Sequence, residues 1–222
     1  MVELKPLGVS RVFTDGRGLY TENLSPGRSV YGERLVPFRG SEYRAWDPQR
    51  SKLAALLLKG WKILPLERGS HVLYLGAASG TTVSHVSDLC PEGTVYAVEF
   101  SRRVFQKLLD LAEQRHNVIP ILADASKPDG YAATVGRVGF LYQDIAQRDQ
   151  VDIVERNLRF LTSDGFGILF VKARSADVAR EPKAVYRGAA AGLRRAGLHV
   201  LGTVPLDPFE KDHAAIPFER EA

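Results

Sequence analysis

Leu73-Tyr74-Leu75-Gly76-Ala77-Ala78-Ser79-Gly80-Thr81-Thr82 decides the fold. Apolar residues that fit a strand run straight into a turn of small residues, and a helix-compatible segment opens at Thr81. Glycines in such a turn let the backbone approach a ligand closely. The turn is not the dinucleotide fingerprint G-x-G-x-x-G, because Ala78 stands where the second glycine would admit a pyrophosphate. That disfavours a pyrophosphate-binding dehydrogenase. The chain also contains no G-x-x-x-x-G-K-[ST] loop, so nucleoside triphosphate chemistry lacks its phosphate cradle.

Outward from this turn, short apolar runs alternate with longer segments. The runs are His71–Leu75, Thr94–Val98, Val118–Leu122, Val138–Tyr142, Phe166–Val171 and His199–Val204. Between them, Thr81–Cys90, Arg102–Arg115, Gln147–Leu161 and Val178–Ala196 carry apolar residues three and four apart, as helices covering a parallel sheet do. The rhythm predicts an α/β fold with an open, doubly wound, Rossmann-like sheet. The first fifty residues differ. Glycine and proline recur every few positions, and Leu19–Leu24 and Val30–Val36 alternate in short pieces, which predicts a small antiparallel β unit over residues 1–50 ahead of the α/β domain over 51–222. Asp47 is expected to cap the helix between the two units, with Pro48 at its first position and Leu53, Leu56 and Leu57 on its apolar face.

Glu99, Asp124 and Asp144 end three successive strands of the expected sheet, so their carboxylates converge on the crevice where ligands of such sheets bind. That convergence suits a nucleoside that carries a positive charge and no phosphate; S-adenosylmethionine is such a molecule. The single cysteine, Cys90, excludes an internal disulfide, and the histidines show no ligand-like spacing, so no metal site is expected. Thirty basic against 26 acidic residues leave a net charge of +4, too little to hold nucleic acid unaided. No apolar run approaches the roughly 20 residues of a membrane helix, and Met1–Pro6 does not read as a signal peptide; a cytoplasmic location is expected.

Six blocks in order carry a resemblance. They are Tyr43–Leu53 (YRAWDPQRSKL), Leu75–Asp88 (LGAASGTTVSHVSD), Val98–Ser101 (VEFS), Tyr142–Gln147 (YQDIAQ), Val171–Ser175 (VKARS) and Pro208–His213 (PFEKDH). In these blocks the chain resembles the fibrillarin family over essentially its whole length. Asp47 is a small departure, since Asn more often precedes that proline. The resemblance implies an S-adenosylmethionine-dependent methyltransferase acting on ribose 2′-hydroxyls of ribosomal RNA, and in archaea also of transfer RNA. It implies a particle in which a box C/D guide RNA selects the target by base pairing, a Nop5-type scaffold protein binds the methyltransferase, and a kink-turn-binding ribosomal protein anchors the RNA.

The resemblance further implies a catalytic set of Lys52, Asp144, Lys172 and His213. It implies cofactor contacts from Gly76, Ala77, Gly80, Thr81 and Thr82 in the first turn and from Glu99 and Phe100 after the second strand. Asp124 and Ala125 would follow from the third strand, and Asp144, Ile145, Ala146 and Gln147 from the fourth. Topology independently places Asp144 and Lys172 on adjacent strands at the carboxyl edge, whereas Lys52 and His213 rest on the motifs alone. Lys172 would engage the 2′-hydroxyl as base or as electrostatic guide, with Asp144 orienting it, His213 helping to position the ribose and Arg174 contacting phosphate. Two other readings stay open: a stand-alone methyltransferase with a different acceptor, and an inactive scaffold kept for assembly.

Overall fold

The computed structural model describes residues 3–176 and 180–220. Five short strands form an antiparallel sheet: β1 (Lys5–Pro6), β2 (Val12–Thr14), β3 (Leu19–Glu22), β4 (Leu35–Phe38) and β5 (Ser41–Trp46), in the order β1-β2-β3-β5-β4. Helix α1 (Lys52–Leu58) follows, and its cap is Ser51 rather than Asp47. Ser51 is extended and its hydroxyl accepts from the Ala54 N–H, whereas Asp47 closes a preceding turn by accepting from the Gln49 N–H at 2.9 Å. Pro48 therefore belongs to that turn and not to the helix.

The second sheet holds the parallel strands β6 (His71–Leu75), β7 (Thr94–Glu99), β8 (Val118–Leu122), β9 (Val138–Gln143) and β10 (Leu161–Lys172). It is completed by β11 (Leu198–Val200), β12 (Val204–Pro205) and β13 (His213–Arg220), in the order β11-β13-β10-β9-β6-β7-β8 with β12 on β13. Its helices are α2 (Thr81–Leu89), α3 (Arg102–Gln114), α4 (Gln150–Asn157), α5 (Ala173–Ala176) and α6 (Pro182–Arg195). Two expectations need correction here. The run His199–Val204 is not one strand but parts of β11 and β12. The long final strand β13, antiparallel to β10 and inserted between it and β11, did not announce itself. Val178, the expected start of α6, lies outside the described residues.

Strand alternation sorts the core onto two faces. Val72 and Tyr74 of β6, Phe140 and Tyr142 of β9, Phe170 of β10 and Ala215 of β13 pack with α1, α2 and α3 on one face. Leu73 and Leu75, Leu141, Leu169 and Val171, and Ala214 and Ile216 pack with α4 and α6 on the other. Leu19 and Trp46 of the small sheet join the first of these cores.

A buried charged cluster ties the small sheet to α2. Asp88, fully buried, receives the Thr21 hydroxyl at 2.7 Å, the Leu24 N–H at 3.1 Å and Arg115 at 2.5 Å, and lies 3.4 Å from Arg44. Arg44 also meets Glu33 at 2.8 Å and donates to the Ser84 hydroxyl at 2.7 Å. His85 stacks on Trp46 at 4.8 Å between centroids, with Nδ1 2.8 Å from the Thr21 hydroxyl and Nε2 2.8 Å from the Tyr31 hydroxyl. Thr21 gives its one proton to Asp88, so His85 Nδ1–H donates to Thr21 and Nε2 is left as the acceptor, within reach of the Tyr31 hydroxyl and the Arg44 guanidinium. Burial, reinforced by the Arg44 and Arg115 cations, pushes the His85 pKa well below its ordinary value and keeps the ring neutral.

Candidate active site

The strand order reverses between β6 and β9, so the segments leaving their carboxyl ends turn to opposite faces of the sheet and a crevice opens between them. Its walls are held close. The Asp144 N–H donates to the Leu75 carbonyl at 2.9 Å, and the Gly76 and Ala77 N–H groups both donate to Val98 at 3.0 Å. Gly76 has φ +85°, and a Cβ there would stand 2.2 Å from the Asp144 carbonyl oxygen. Only glycine fits that approach.

The cleft that opens at this point is lined by Gly76, Glu99, Phe100, Asp124, Ala125, Asp144, Ile145, Ala146 and Gln147, all expected from the sequence, together with Ala78, Val98 and Ala123. The last three are small or apolar and signalled themselves only by adjoining the expected residues. Four other expected contacts lie off the cleft. Ala77 is buried; Gly80 seats the turn against Leu108 and Leu111, where a Cβ would meet a Leu111 methyl at 2.5 Å. Thr82 donates to the Ser51 hydroxyl at 3.0 Å, and Thr81 lines an adjoining polar cleft with Arg50, Ser79 and Lys107.

Both oxygens of Glu99 are already engaged by backbone, Oε2 by the Ala78 N–H at 2.8 Å and Oε1 by the Ser101 N–H at 2.7 Å. This fixes the carboxylate at the rim, and each oxygen keeps a further lone pair for a ligand hydroxyl. Asp124 accepts from the Ser126 hydroxyl at 2.7 Å, the main reason its carboxyl is held below the usual range. Phe100 is 70% exposed at the same rim, an open ring face beside an apolar floor of Val98, Ala123 and Ala125. Carboxylates for hydroxyls, an apolar floor for a base and no phosphate cradle fit a cationic nucleoside such as S-adenosylmethionine.

Beside the cleft the four residues of the expected catalytic set come to one place. Ser51, bonded to Thr82, holds the start of α1 against the start of α2, and Lys52 then reaches across to Asp144 with 2.7 Å between Nζ and Oδ2. Lys172 closes β10 and is the register partner of His213 on β13. Alternation places the rest: Asp144 follows Tyr142 by two residues, Lys172 follows Phe170 by two, and His213 precedes Ala215 by two, all on the α1 face. Beneath them an aromatic row runs across β6, β9 and β10, with Tyr74 stacked on Tyr142 at 4.0 Å and Tyr142 against Phe170 at 4.8 Å. His213 Nδ1–H donates to the Lys211 carbonyl at 2.7 Å, which leaves Nε2 as the acceptor nitrogen. Arg174 reaches Asp212 at 3.1 Å and so ties α5 to the same loop.

This fold, with an acidic cleft at the switch point and a cationic, carboxylate-bearing cluster beside it, defines a Rossmann-like methyltransferase. The fibrillarin family profile matches residues 7–221, and the chain belongs to that family. A relative from Methanopyrus kandleri, a fibrillarin-like rRNA/tRNA 2′-O-methyltransferase, is 51% identical over 211 residues, covering 94% of this chain and 91% of the relative. Among solved structures, Aeropyrum pernix fibrillarin with natively bound S-adenosyl-L-methionine matches with TM-score 0.86 and 46% identity, covering 98% of this chain and 100% of that one. A fibrillarin in complex with Nop5p matches with TM-score 0.88 and 43% identity, covering 96% of this chain and 98% of that one. No group of three or more metal-ligating side chains and no helix long and apolar enough to cross a membrane occurs among the described residues.

Proposed function

We propose that this chain transfers the methyl group of S-adenosylmethionine to the ribose 2′-hydroxyl of RNA, ribosomal and transfer, as the catalytic subunit of a box C/D guide particle in the cytoplasm. The observation that carries the reading is the alignment of Asp144, Lys172 and His213 on one sheet face beside the acidic cleft, with Lys52 reaching Asp144 from α1. Bound there, S-adenosylmethionine supplies an electrophilic methyl on a sulfonium. The chain's own groups do the rest. Glu99 takes the ribose hydroxyls of the cofactor, and Phe100 with the apolar floor takes its base. Asp144 is shared between Lys52 and the sulfonium, while Lys172 and His213 face the incoming hydroxyl. The C–O bond forms as the C–S bond breaks, and the hydroxyl proton leaves to this cluster or to water through it. A Nop5-type scaffold, the guide RNA and a kink-turn-binding ribosomal protein supply the grip on RNA that a net charge of +4 does not.

Labelled methyl from S-adenosylmethionine should enter a guide-matched RNA only when guide and scaffold are present, and should not enter the same RNA with 2′-deoxyribose at the target. Labelling of the deoxy substrate would assign a different acceptor atom and defeat the reading. Glu99→Ala should weaken cofactor binding about tenfold to a hundredfold in calorimetry, since it removes a charged acceptor and frees two backbone donors. Binding as tight as that of the parent would remove Glu99 from the site.

A further inference from the structure

The excess positive charge of the chain sits on one helix. The chain carries +4, and α6 contributes Lys183, Arg187, Arg194 and Arg195 with no acidic residue, so basic and acidic residues balance everywhere else. All four are exposed. At about 100° per residue, Lys183, Arg187 and Arg194 fall within roughly 40° of one another, and at about 1.5 Å per residue they span roughly 16 Å. They form a straight stripe. Arg195 turns instead toward the groove between α4 and α6, which it lines with Arg148, Asp149 and Asp152. None of the three stripe residues belongs to an ion pair among the described residues.

The stripe begins at the carboxyl edge, on the sheet face opposite the four-residue cluster, because α6 packs with Val171 and α4. The first half of α6 shares its groove with Val171, next to Lys172, and with Arg148, next to Gln147, so Lys183 and Arg187 stand at the carboxyl edge and Arg194 toward the far edge. The exposed surface beside the stripe is small: Ala191 and Ala184 lie next to it, and Gly188, on the groove side, has nothing within 4 Å of a would-be Cβ. Among the described residues the exposed large hydrophobics are Ile63, Phe100 and Leu122, none of them on α6. Protein interfaces are anchored by apolar and aromatic side chains that fill pockets, and this face offers none. Isolated cations on a smooth backbone are what a phosphodiester strand needs, and a 16 Å stripe covers about five nucleotides at roughly 3.4 Å each.

We propose that the Lys183, Arg187 and Arg194 stripe of α6 binds consecutive phosphates of the RNA whose target ribose lies at the neighbouring carboxyl edge. The inference rests on the reading of this chain as an RNA methyltransferase. It adds that the enzyme guides the strand itself, beyond what guide and scaffold hold.

The test uses the full chain assembled with scaffold and guide, and a fluorescent guide-matched RNA titrated over a range of salt. Replacing all three residues by Gln (K183Q, R187Q, R194Q) should weaken RNA binding about tenfold or more and reduce the log–log salt slope by about two to three, near one unit per lost contact. Cofactor affinity and kcat at saturating RNA should hold, with the effect confined to KM. The charge-matched control R28Q, R39Q, K62Q should bind RNA as the parent does. An unchanged salt slope, or an equal loss in the control, would overturn the proposal, as would a triple variant that fails only to join the scaffold. If the parent binds RNA but labels no ribose, the methyltransferase reading fails while the salt slope still reports on α6.

Discussion

Lys172→Ala should lose about two to four orders of magnitude in methyl transfer, the range that a positioned proton-transfer group contributes. The side chain is exposed at the last position of β10, so its removal opens no cavity, and melting should match the parent. Lys172 does not line the acidic cleft proposed for the cofactor, so cofactor binding should also persist. Loss of turnover with both controls intact would place the lysine at the reacting hydroxyl. Activity within tenfold of the parent would dismiss it. Lys172→Arg separates the two roles open to the residue: arginine keeps the positive charge but cannot accept a proton in a protein. Substantial recovery would make Lys172 an electrostatic guide, and continued inactivity would make it the base.

The lysine and its neighbours were legible to unequal degrees. The parallel strands showed themselves because apolar runs of five or six residues, each followed by a helical period, leave few alternatives. Asp144 and Lys172 followed from topology, since a polar residue that ends such a run stands at the carboxyl edge whatever its partner. Lys52 could not be placed that way: it reaches Asp144 from α1, 92 residues away, and no local pattern encodes that contact. His213 depended on β13, whose eight residues HAAIPFER include a proline and end in charge, so the segment did not read as a central strand. Pro217 is tolerated there even though it gives no N–H to the ladder. Asp47 misled because its side chain and the following proline imitate a helix start, while the deciding group, the Ser51 hydroxyl, lies four residues on.

The buried cluster was the least legible feature. Arg44, His85 and Asp88 lie inside motif blocks and would ordinarily be taken for solvated or catalytic residues, yet all three are fully buried away from the nucleoside cleft. They fasten the small sheet, and with it the start of α1, to α2. Each link is one the sequence could not display, because charge in a sequence reads as surface until a partner is known.

Replacing Asp88 by Ala should therefore act on stability first, lowering it by about 3–5 kcal/mol, the usual effect of breaking a buried ion pair from one side. The carboxylate is met by Arg115 at 2.5 Å, by Arg44 at 3.4 Å, by the Thr21 hydroxyl and by the Leu24 N–H. Its loss leaves Arg115 with only the neutral Ser87 and Asn23 among its closest partners and brings two buried cations together with Glu33 as their one remaining carboxylate. At about 2–4 °C per kcal/mol for a chain of this size, melting should fall by roughly 6–20 °C. Asp88→Asn, which keeps one acceptor oxygen for Thr21 or Leu24 but no charge, should lose nearly as much if ion pairing dominates and far less if the hydrogen bonds do. Because Thr21 and Arg44 belong to β3 and β5, hydrogen exchange in the small sheet should rise before that in β6, β9 and β10. Methyl transfer measured well below the new melting point should fall less than it does in Lys172→Ala, since Asp88 touches neither the cleft nor the four-residue cluster. A variant that melts with the parent would mean that Glu33 and the surrounding dipoles already balance the two arginines.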